Sequence, residues 1–528
     1  MLVLAAAAAH IVYLRFLCDD AFITFRYAQN LAGGHGFVFN LGERVEGYTN
    51  FSWLLLCAAM IRLGVTPELG TQWLGGACAI LTLACGLYYL REHGTSPWWF
   101  ALLLAANGGF AAWATGGLET ALFTLSVLLA FLGAASALER RDRERPEPAR
   151  FDHRLALGAA GVLLAALTRP EGLLVAGLLS VALATLAVAR RLTFRALAAW
   201  AALWALPYAC YFAWRVAYFG HLLPNTFAVK SGGTYLLPIG LAYLGTVAQR
   251  LHLVGFVIPL LALAIVRRPL GFRSGLGGLA ALLVIPYLAF VALVGGDFMD
   301  LGRFVVPLLP IVAIPAALGW GALERFLAER MSRPVAIGVV ALLLATYAVL
   351  NLATSRDSTR AWHRGVDSIG LLRDYRADWT RVARVLTKAS TPSDTLAITA
   401  AGIIPYYTGL YTIDQLGLVA DDLGGYRARR TTNLPGHGKI ASGELIMRLR
   451  PQFLIGHPVV VDSISEVRPS LMTEPGWADS LNQIYRVIGA EASIDPPRYF
   501  ALAVRIDRLG AFMANAQLLN PARRQPSP

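Results

Sequence analysis

The stretch LRFLCDDAFITFRYAQNLAGGHGFVFN, residues 14–40, marks the point at which an apolar N-terminal segment gives way to charge. Residues 1–17 are mostly apolar, and two adjacent carboxylates, Asp19 and Asp20, follow them directly. Charge at the edge of a membrane is costly unless it is paired or has a function. We therefore interpret residues 1–17 as a first membrane span, and we expect the two aspartates to lie where that span leaves the bilayer.

The composition of the whole chain also indicates a membrane protein. Hydrophobic residues make up 56% of its 528 residues, charged residues only 15%, and the mean hydropathy is +0.54, whereas soluble globular domains contain about 25% charged residues. The net charge of +13 does not indicate nucleic-acid binding, because much of the arginine lies in short loops between apolar segments. The sequence contains no disulfide framework and no zinc, P-loop or dinucleotide-binding motif.

Apolar segments that approach the length of a membrane span recur through the first two thirds of the chain. We predict about eleven spans, at residues 1–17, 70–90, 97–114, 118–137, 155–168, 172–189, 197–219, 251–266, 276–294, 304–322 and 334–352. The shorter segment 51–64 predicts a helix at the membrane interface. Basic loops such as residues 139–154 and 189–195 alternate with loops that are less basic, so the positive-inside rule assigns them to the cytoplasm. We therefore expect a multi-pass protein of the bacterial inner (plasma) membrane.

The end of the chain differs in kind, because helical periodicity alternates there with short apolar strands. The segments ADWTRVARVLTKA, DTLAIT, IPYYTGLYTIDQLGL and GELIMRLRPQFLIG predict, in order, a helix, a strand, a short helix with a strand, and a helix with a strand. The predicted fold class is thus a polytopic α-helical membrane protein with a C-terminal α/β extracytoplasmic domain. Its membrane core would be residues 1–352, with an external loop at 18–69, and its periplasmic cap domain residues 353–528.

Charged and polar residues concentrate in the loops predicted for the non-cytoplasmic side. The candidate substrate-binding residues in these loops are Arg26, Glu46, Tyr48, Asn50, Glu119, Arg169, Glu171, Asn225, Lys230, Asp297, Arg303 and His437. Simpler interpretations exist for several of them, since Tyr48 is also typical of a membrane-interface anchor and Arg169 could form a local salt bridge with Glu171. Lys230 is either a solvated lysine or a phosphate ligand, and Arg303 either extends to the membrane surface or binds phosphate.

Asp19 and Asp20 likewise have two interpretations. One of them could cap the helix that AFITFRYAQNL predicts, since Asp is a preferred N-cap residue. Two adjacent acids exceed what one cap needs, so one could cap while the other acts as the general base for a sugar hydroxyl. A divalent cation could bridge carboxylates and a phosphate, although no ligand set in the sequence requires a metal.

Taken together, the polar stretches resemble those of GT-C glycosyltransferases, and in particular the AftB-like arabinofuranosyltransferase group. The similar stretches are DDAFITFRYAQNLAGGHGFVFNLGERVEGYTNFSW, ATGGLETALF, LTRPEG, FGHLLPNTFAVKSG, GGDFMDLGRFVVPLLP, IPYYTGLYTIDQLGL and GHGK. The resemblance implies a GT-C fold, an active site at the non-cytoplasmic face and a sugar donor on a polyprenyl phosphate. It also implies that Asp19 is the base and Asp20 its support, and that Lys230 or Arg303 binds the donor phosphate.

We therefore expect a membrane glycosyltransferase that moves a sugar, arabinofuranose in the group it resembles, from a polyprenyl-phosphate donor to a cell-envelope glycan, lipid or protein. The alternative is a transporter or flippase of a lipid-linked anionic substrate, which would use the same acids and cations as a binding site. Transporters typically place polar groups near the bilayer midplane and often contain inverted repeats. The polar groups predicted here gather at one membrane edge, and the sequence contains no evident internal repeat.

Overall fold

The computed structural model describes residues 2–93, 96–139, 148–230, 236–265, 271–360, 366–420, 423–428, 438–470 and 478–517. The helices of the membrane part are α1 (Leu2–Tyr13), α2 (Asp19–Ala32), α3 (Phe51–Arg62), α4 (Pro67–Glu92), α5 (Trp98–Ala105), α6 (Gly108–Ala112), α7 (Thr120–Glu139), α8 (His153–Thr168), α9 (Glu171–Val188), α10 (Phe194–Phe219), α11 (Asn225–Lys230), α12 (Leu236–Arg250), α13 (Val254–Ile265), α14 (Gly271–Leu293), α15 (Leu309–Ala328) and α16 (Arg333–Ser358). The helices of the tail are α17 (Ile369–Ala389), α18 (Ile403–Thr408), α19 (Gly443–Leu449), α20 (Ala478–Ile484) and α21 (Ile506–Gln517). The strands are β1 (Thr395–Ile398), β2 (Tyr411–Asp414), β3 (Tyr426–Ala428), β4 (Lys439–Ala441), β5 (Phe453–Gly456), β6 (Val460–Val461), β7 (Tyr485–Ile494) and β8 (Pro497–Arg505).

Seven of the described helices are long and apolar enough to cross a membrane, which confirms the predicted polytopic helical class. They are α4, α7, α9, α10, α14, α15 with its leading 3-10 turn, and α16. The helices α12 and α13 make an eighth crossing if they are counted as one, although the chain bends by 83° between them. The interfacial segment predicted at 51–64 is the short apolar helix α3.

This count is lower than the eleven spans predicted from apolar segments. The predicted span 97–114 is divided into α5 and α6 at Asn107, whose side-chain oxygen accepts a hydrogen bond from the N–H of Phe110 and so begins a new helix. Helices α1 and α8 have only 12 and 16 residues, fewer than the roughly 20 that a perpendicular crossing needs. Average hydropathy does not register helix breaks or early helix ends, so fewer of the described helices reach the length of a span than the apolar segments predict.

Glycines allow several of these helices to approach closely, as is common where lipid removes the hydrophobic force between them. Helices α7 and α8 cross at Gly133 and Gly158, and a Cβ added at Gly133 would lie 2.4 Å from the Cα of Gly158. Glu119 directly precedes α7 and Arg169 directly follows α8. The close packing of this helix pair therefore brings the two charged loop residues together at one end of the bundle.

The tail begins after α16, which continues to Ser358 and so passes the boundary predicted at residue 352. Strand β1 lies between parallel neighbours β2 and β5, and β8 runs antiparallel to β5, β6 and β7. Helix α17, strand β1, helix α18 and strand β2 follow one another where the sequence predicts them, as do α19 and β5. The predicted C-terminal α/β fold is thus confirmed.

The glycine contact between α7 and α8 should be sensitive to a single methyl group. We expect Gly133→Ala to lower stability by about 1–3 kcal/mol, as overpacking of a tight contact usually does. The matched control is Gly177→Ala in α9, because a Cβ at this exposed helical glycine has no neighbour within 4 Å. Thermal unfolding of both variants in detergent measures the difference, and equal melting temperatures would contradict the assigned helix contact.

Candidate active site

Asp19 and Asp20 are the first two residues of α2, and the residue in the capping position before them is Cys18, whose side chain caps no backbone group of that helix. The predicted capping of α2 by an aspartate is therefore not observed. Asp19 instead accepts hydrogen bonds from the backbone N–H groups of Gly402 and Ile403, at 3.1 and 2.7 Å. Asp19 thus caps α18 of the tail domain and joins the first polar loop to a segment far along the chain.

Asp20 faces the arginine at the entrance to the last membrane helices. Its Oδ2 lies 3.5 Å from Nη1 of Arg303, and 40% of its side chain is exposed. Arg303 also donates to both oxygens of Asp297, at 2.9 and 3.1 Å, and its guanidinium lies over the rings of Trp113 and Phe304. Asp297 is buried, so Arg303 neutralises it and leaves Asp20 as its accessible partner.

A third carboxyl, that of Asp367, lies near this pair. The backbone N–H of Asp367 donates to the carbonyl of Phe298, and its carbonyl accepts from the N–H of Asp300, both at 3.0 Å. Burial raises the pKa of Asp367 to about 6, and the charges of Asp297 and Asp20 act in the same direction. The sequence analysis did not identify this residue, because it lies in the linker between α16 and α17 with no distinctive motif around it.

The pKa of Asp19 is displaced further. Burial raises it to about 7, the N–H groups of Ile403 and Gly402 oppose the shift, and the charges of Asp20 and Asp414 add to it. Burial also raises the pKa of Asp414 to about 6, against hydrogen bonds from the backbone of the turn that follows it. Asp19 therefore exchanges its proton near neutral pH, a property common among residues at functional sites.

A second ion-pair cluster lies next to the first, and its side chains are buried. Nη1 of Arg169 lies 2.9 Å from Glu119, and the same guanidinium donates two hydrogen bonds to Glu171. Asn50 donates to the other oxygen of Glu119 at 2.9 Å. Arg169 lies over the ring of Phe304, which separates this cluster from the guanidinium described above. The structure thus brings together residues predicted from three different loops.

A third ion pair joins the external loop to a membrane helix. Glu46 pairs with Arg215 of α10 at 2.7 and 2.6 Å, and both side chains are buried. The N–H of Asn225 donates to the Glu46 carbonyl, and its side-chain amide donates to tail carbonyls at positions 417, 418 and 420. Arg215 was not predicted, although an arginine near the end of an apolar span is a signal that a partner exists.

Arg26 and Tyr48, both predicted to bind substrate, are held in packed surroundings. The Arg26 guanidinium is buried and donates five hydrogen bonds. Its acceptors are Phe39 O, Asn40 Oδ1, Pro405 O, Leu410 O and Thr412 Oγ1. Tyr48 is buried with its ring 4.9 Å from that of Tyr27 in an edge-to-face contact. These contacts assign Arg26 to the junction between loop and tail, and Tyr48 to an aromatic core.

Two predicted residues cannot be placed in this site. Lys230 is the last residue of α11, but its side chain lies outside the described residues, and His437 lies outside them altogether. Within the described ranges, no group of three or more His, Cys, Asp or Glu side chains is arranged to hold a metal ion.

The chain is similar in sequence to two arabinofuranosyltransferases, which confirms the resemblance seen in its motifs. It is 30% identical over 348 residues to the terminal beta-(1->2)-arabinofuranosyltransferase of Corynebacterium glutamicum, covering 58% of this chain and 49% of the relative. It is 31% identical over 232 residues to the enzyme of the same name from Mycobacterium tuberculosis, covering 41% of this chain and 35% of that one. The matches thus span about half the length of these relatives or less. Residues 369–502 match a family model described as a domain of unknown function, DUF8728.

Solved structures show the same fold over nearly the whole chain. ArnT from Cupriavidus metallidurans bound to undecaprenyl phosphate is similar with a TM-score of 0.58 at 13% identity, over 95% of this chain and 96% of ArnT. The oligosaccharyltransferase AglB from Archaeoglobus fulgidus, in complex with an inhibitory peptide and a dolichol-phosphate, is similar with a TM-score of 0.51 at 12% identity, over 86% of this chain and 69% of AglB. The chain therefore has the GT-C fold that its sequence predicts, with its α/β domain at the C-terminus.

The contact between Asp19 and the tail can be tested through Gly402. A Cβ at this position would lie 2.0 Å from the backbone oxygen of Asp19 and 2.6 Å from its Cγ, so Gly402→Ala should separate α18 from α2. We expect protease to cleave the tail about tenfold faster for each ~1.4 kcal/mol by which the substitution weakens the free energy of docking. Gly438→Ala is the control, because its nearest neighbour would be 4.0 Å away. Equal cleavage rates for the two variants would contradict the docking.

Proposed function

We propose that this chain is an integral membrane glycosyltransferase that transfers a sugar from a polyprenyl-phosphate donor to a glycan, lipid or protein acceptor of the cell envelope. The names of its two relatives suggest an arabinofuranosyl residue as the sugar. The undecaprenyl phosphate bound to ArnT and the dolichol-phosphate bound to AglB support a polyprenyl-phosphate donor. The alternation of basic loops in the sequence supports a site on the extracytoplasmic side.

The observation that carries this proposal is the position of two adjacent aspartates where the membrane helices meet the tail domain. Asp20 lies beside Arg303, and Asp19 contacts the start of α18. A carboxylate can take the proton of an acceptor hydroxyl, and an arginine can stabilise the charge on a departing phosphate. The polar groups gather at the ends of the membrane helices, an arrangement that favours the transferase over the transporter or flippase predicted as the alternative.

We assign the role of general base to Asp19. Two backbone N–H groups of the tail fix its carboxylate in one orientation, and each oxygen keeps a lone pair with which to accept a substrate hydroxyl. Its pKa of about 7 suits a base that works near neutral pH. Asp20 supports the site by pairing with Arg303 and so orients the guanidinium.

We assign the phosphate of the donor to Arg303 and Lys230. Arg303 is paired with the carboxyls of both Asp20 and Asp297, which outnumber its single charge. An approaching phosphate therefore needs a further cation, and Lys230 is the residue predicted for it. Arg169 is already neutralised by two glutamates, so we propose that it positions the surrounding side chains instead of binding the donor.

Substitution of the two aspartates separates the base from its support. We expect Asp19→Asn to lower the transfer rate by roughly 10²–10⁴, because an amide cannot take the proton, and Asp20→Asn to lower it by less. The control is Asp479→Asn, an exposed aspartate of α20, which should transfer at the normal rate. Initial rates at saturating polyprenyl-phosphate sugar, normalised to folded protein by size-exclusion in detergent, provide the measurement.

Comparison with Gly402→Ala distinguishes chemistry from docking. If Asp19 serves only to hold the tail, Asp19→Asn and Gly402→Ala should reduce the rate to the same extent and expose the tail to protease equally. A rate for Asp19→Asn that stays at the normal level would exclude Asp19 as the base.

The pH dependence follows from the raised pKa of Asp19. Below about pH 7 its carboxyl is increasingly protonated and cannot accept a proton, so the transfer rate should rise with pH and level off above about 7. The residual activity of Asp19→Asn should lack this rise. Rates of both proteins measured from pH 5 to 9 check the prediction, and the same slope in both would show that another group titrates.

A further inference from the structure

A cavity of about 570 Å³ lies between the end of α1, the start of α4 and helix α17 of the tail. The lining residues include five arginines and no acidic side chain. These arginines are Arg15, Arg373, Arg376, Arg381 and Arg384. The cavity shares no lining residue with the Asp20–Arg303 pair, so its positive charge is not explained by the proposed active site.

Most of the positive charge comes from one face of α17. The residues of this helix that line the cavity lie at positions 373, 376, 377, 380, 381 and 384, which is the spacing of a single helical face. The opposite face packs into the protein core through the buried residues Trp379, Val382 and Leu386. The packing of that apolar face fixes the direction in which the arginines point.

The arginines of this basic cavity are largely without acidic partners. Among the described residues, Arg15, Arg376 and Arg384 form no ion pair, and Arg373 donates only to the carbonyls of Tyr13 and Arg15. Arg381 alone pairs with an acid, Asp378, at 2.7 Å. A further carboxylate, Glu68, accepts a hydrogen bond from the lining residue Tyr407. The cavity therefore carries a marked excess of positive charge, which an anionic ligand would balance.

The position of the cavity indicates what kind of anion it meets. Arg15 and its neighbours follow directly after the apolar helix α1, and the lining residue Gln72 lies in the first turns of the membrane helix α4. The helix α17 follows the membrane helix α16 after a short linker. The cavity is thus level with the ends of apolar helices, at the depth where lipid headgroups lie.

We propose that this basic cavity binds the phosphate headgroup of an anionic membrane lipid. The guanidinium groups of Arg376 and Arg384 would hold the phosphate oxygens, because the planar fork of arginine matches phosphate geometry. The apolar surface of the adjacent membrane helices would take the acyl chains. This inference does not depend on the proposed transferase activity, since it concerns binding alone.

Binding by the full-length chain in a neutral detergent tests the proposal. Native mass spectrometry would measure the affinity for phosphatidylglycerol, with phosphatidylcholine as the lipid without net charge and inorganic phosphate as the anion without a tail. Each basic residue near an anionic lipid contributes about fivefold in affinity, so Arg376→Gln with Arg384→Gln should weaken phosphatidylglycerol binding by roughly 25-fold. The control Arg448→Gln removes an exposed arginine of the tail outside the cavity and should change nothing.

A double substitution of arginine by lysine distinguishes the effect of charge on lipid binding from the effect of side-chain packing. Arg376→Lys with Arg384→Lys keeps both charges and should retain most of the affinity, whereas the glutamine pair should lose it with an unchanged melting temperature. Undiminished phosphatidylglycerol binding by the glutamine pair would overturn the proposal. Displacement of phosphatidylglycerol by an equal concentration of inorganic phosphate would overturn the assignment to a lipid and indicate a site for free phosphate.

Discussion

The burial of the Arg26 guanidinium is the interaction on which the arrangement of the proposed site depends. A guanidinium withdrawn from water costs several kcal/mol unless its donors are satisfied. Arg26 meets this requirement only when the loop of Phe39 and Asn40 and the tail segment 405–412 surround it together. The same docking brings the N–H groups at the start of α18 to Asp19. One buried cation thereby holds the tail where the carboxylate pair needs it.

Similar pairing of charge recurs where the membrane helices meet their loops. The buried guanidinium groups of Arg169, Arg215 and Arg303 each bind a carboxylate from another loop or helix. Buried ion pairs add little net stability compared with apolar packing, but removal of one partner is strongly destabilising. We infer that these pairs fix which loops meet. The ion pairs therefore determine how the loops of the site are positioned relative to one another. The packing of glycines and apolar side chains provides most of the stability of the helix bundle.

Much of this organisation could be predicted from the sequence, because its signals are local. Apolar segments predicted the helical membrane class, and the period of residues 377–389 and 394–399 predicted the first helix and strand of the tail. The division of a span at Asn107 was missed because hydropathy is an average over many residues. The partner of Asp19 was missed because Gly402 is 383 positions away, and no local pattern links the two. The spacing of arginines along α17 was visible in the sequence. The cavity could not be predicted, because residues near α1 and in α4, which are distant in sequence, form its other walls.

The hydrogen bonds from Gly402 and Ile403 to Asp19 have a consequence for biosynthesis. Gly402 leaves the ribosome 383 positions after Asp19, a delay of roughly 20–80 s at 5–20 residues per second. Throughout that interval the membrane helices insert while Asp19 lacks the backbone N–H groups that orient it. Truncated or stalled translation products therefore carry the acidic motif in an unassembled state. Because the docked tail orients Asp19, we expect the proposed chemistry on lipid-linked sugars to begin only after the tail has been made and docked.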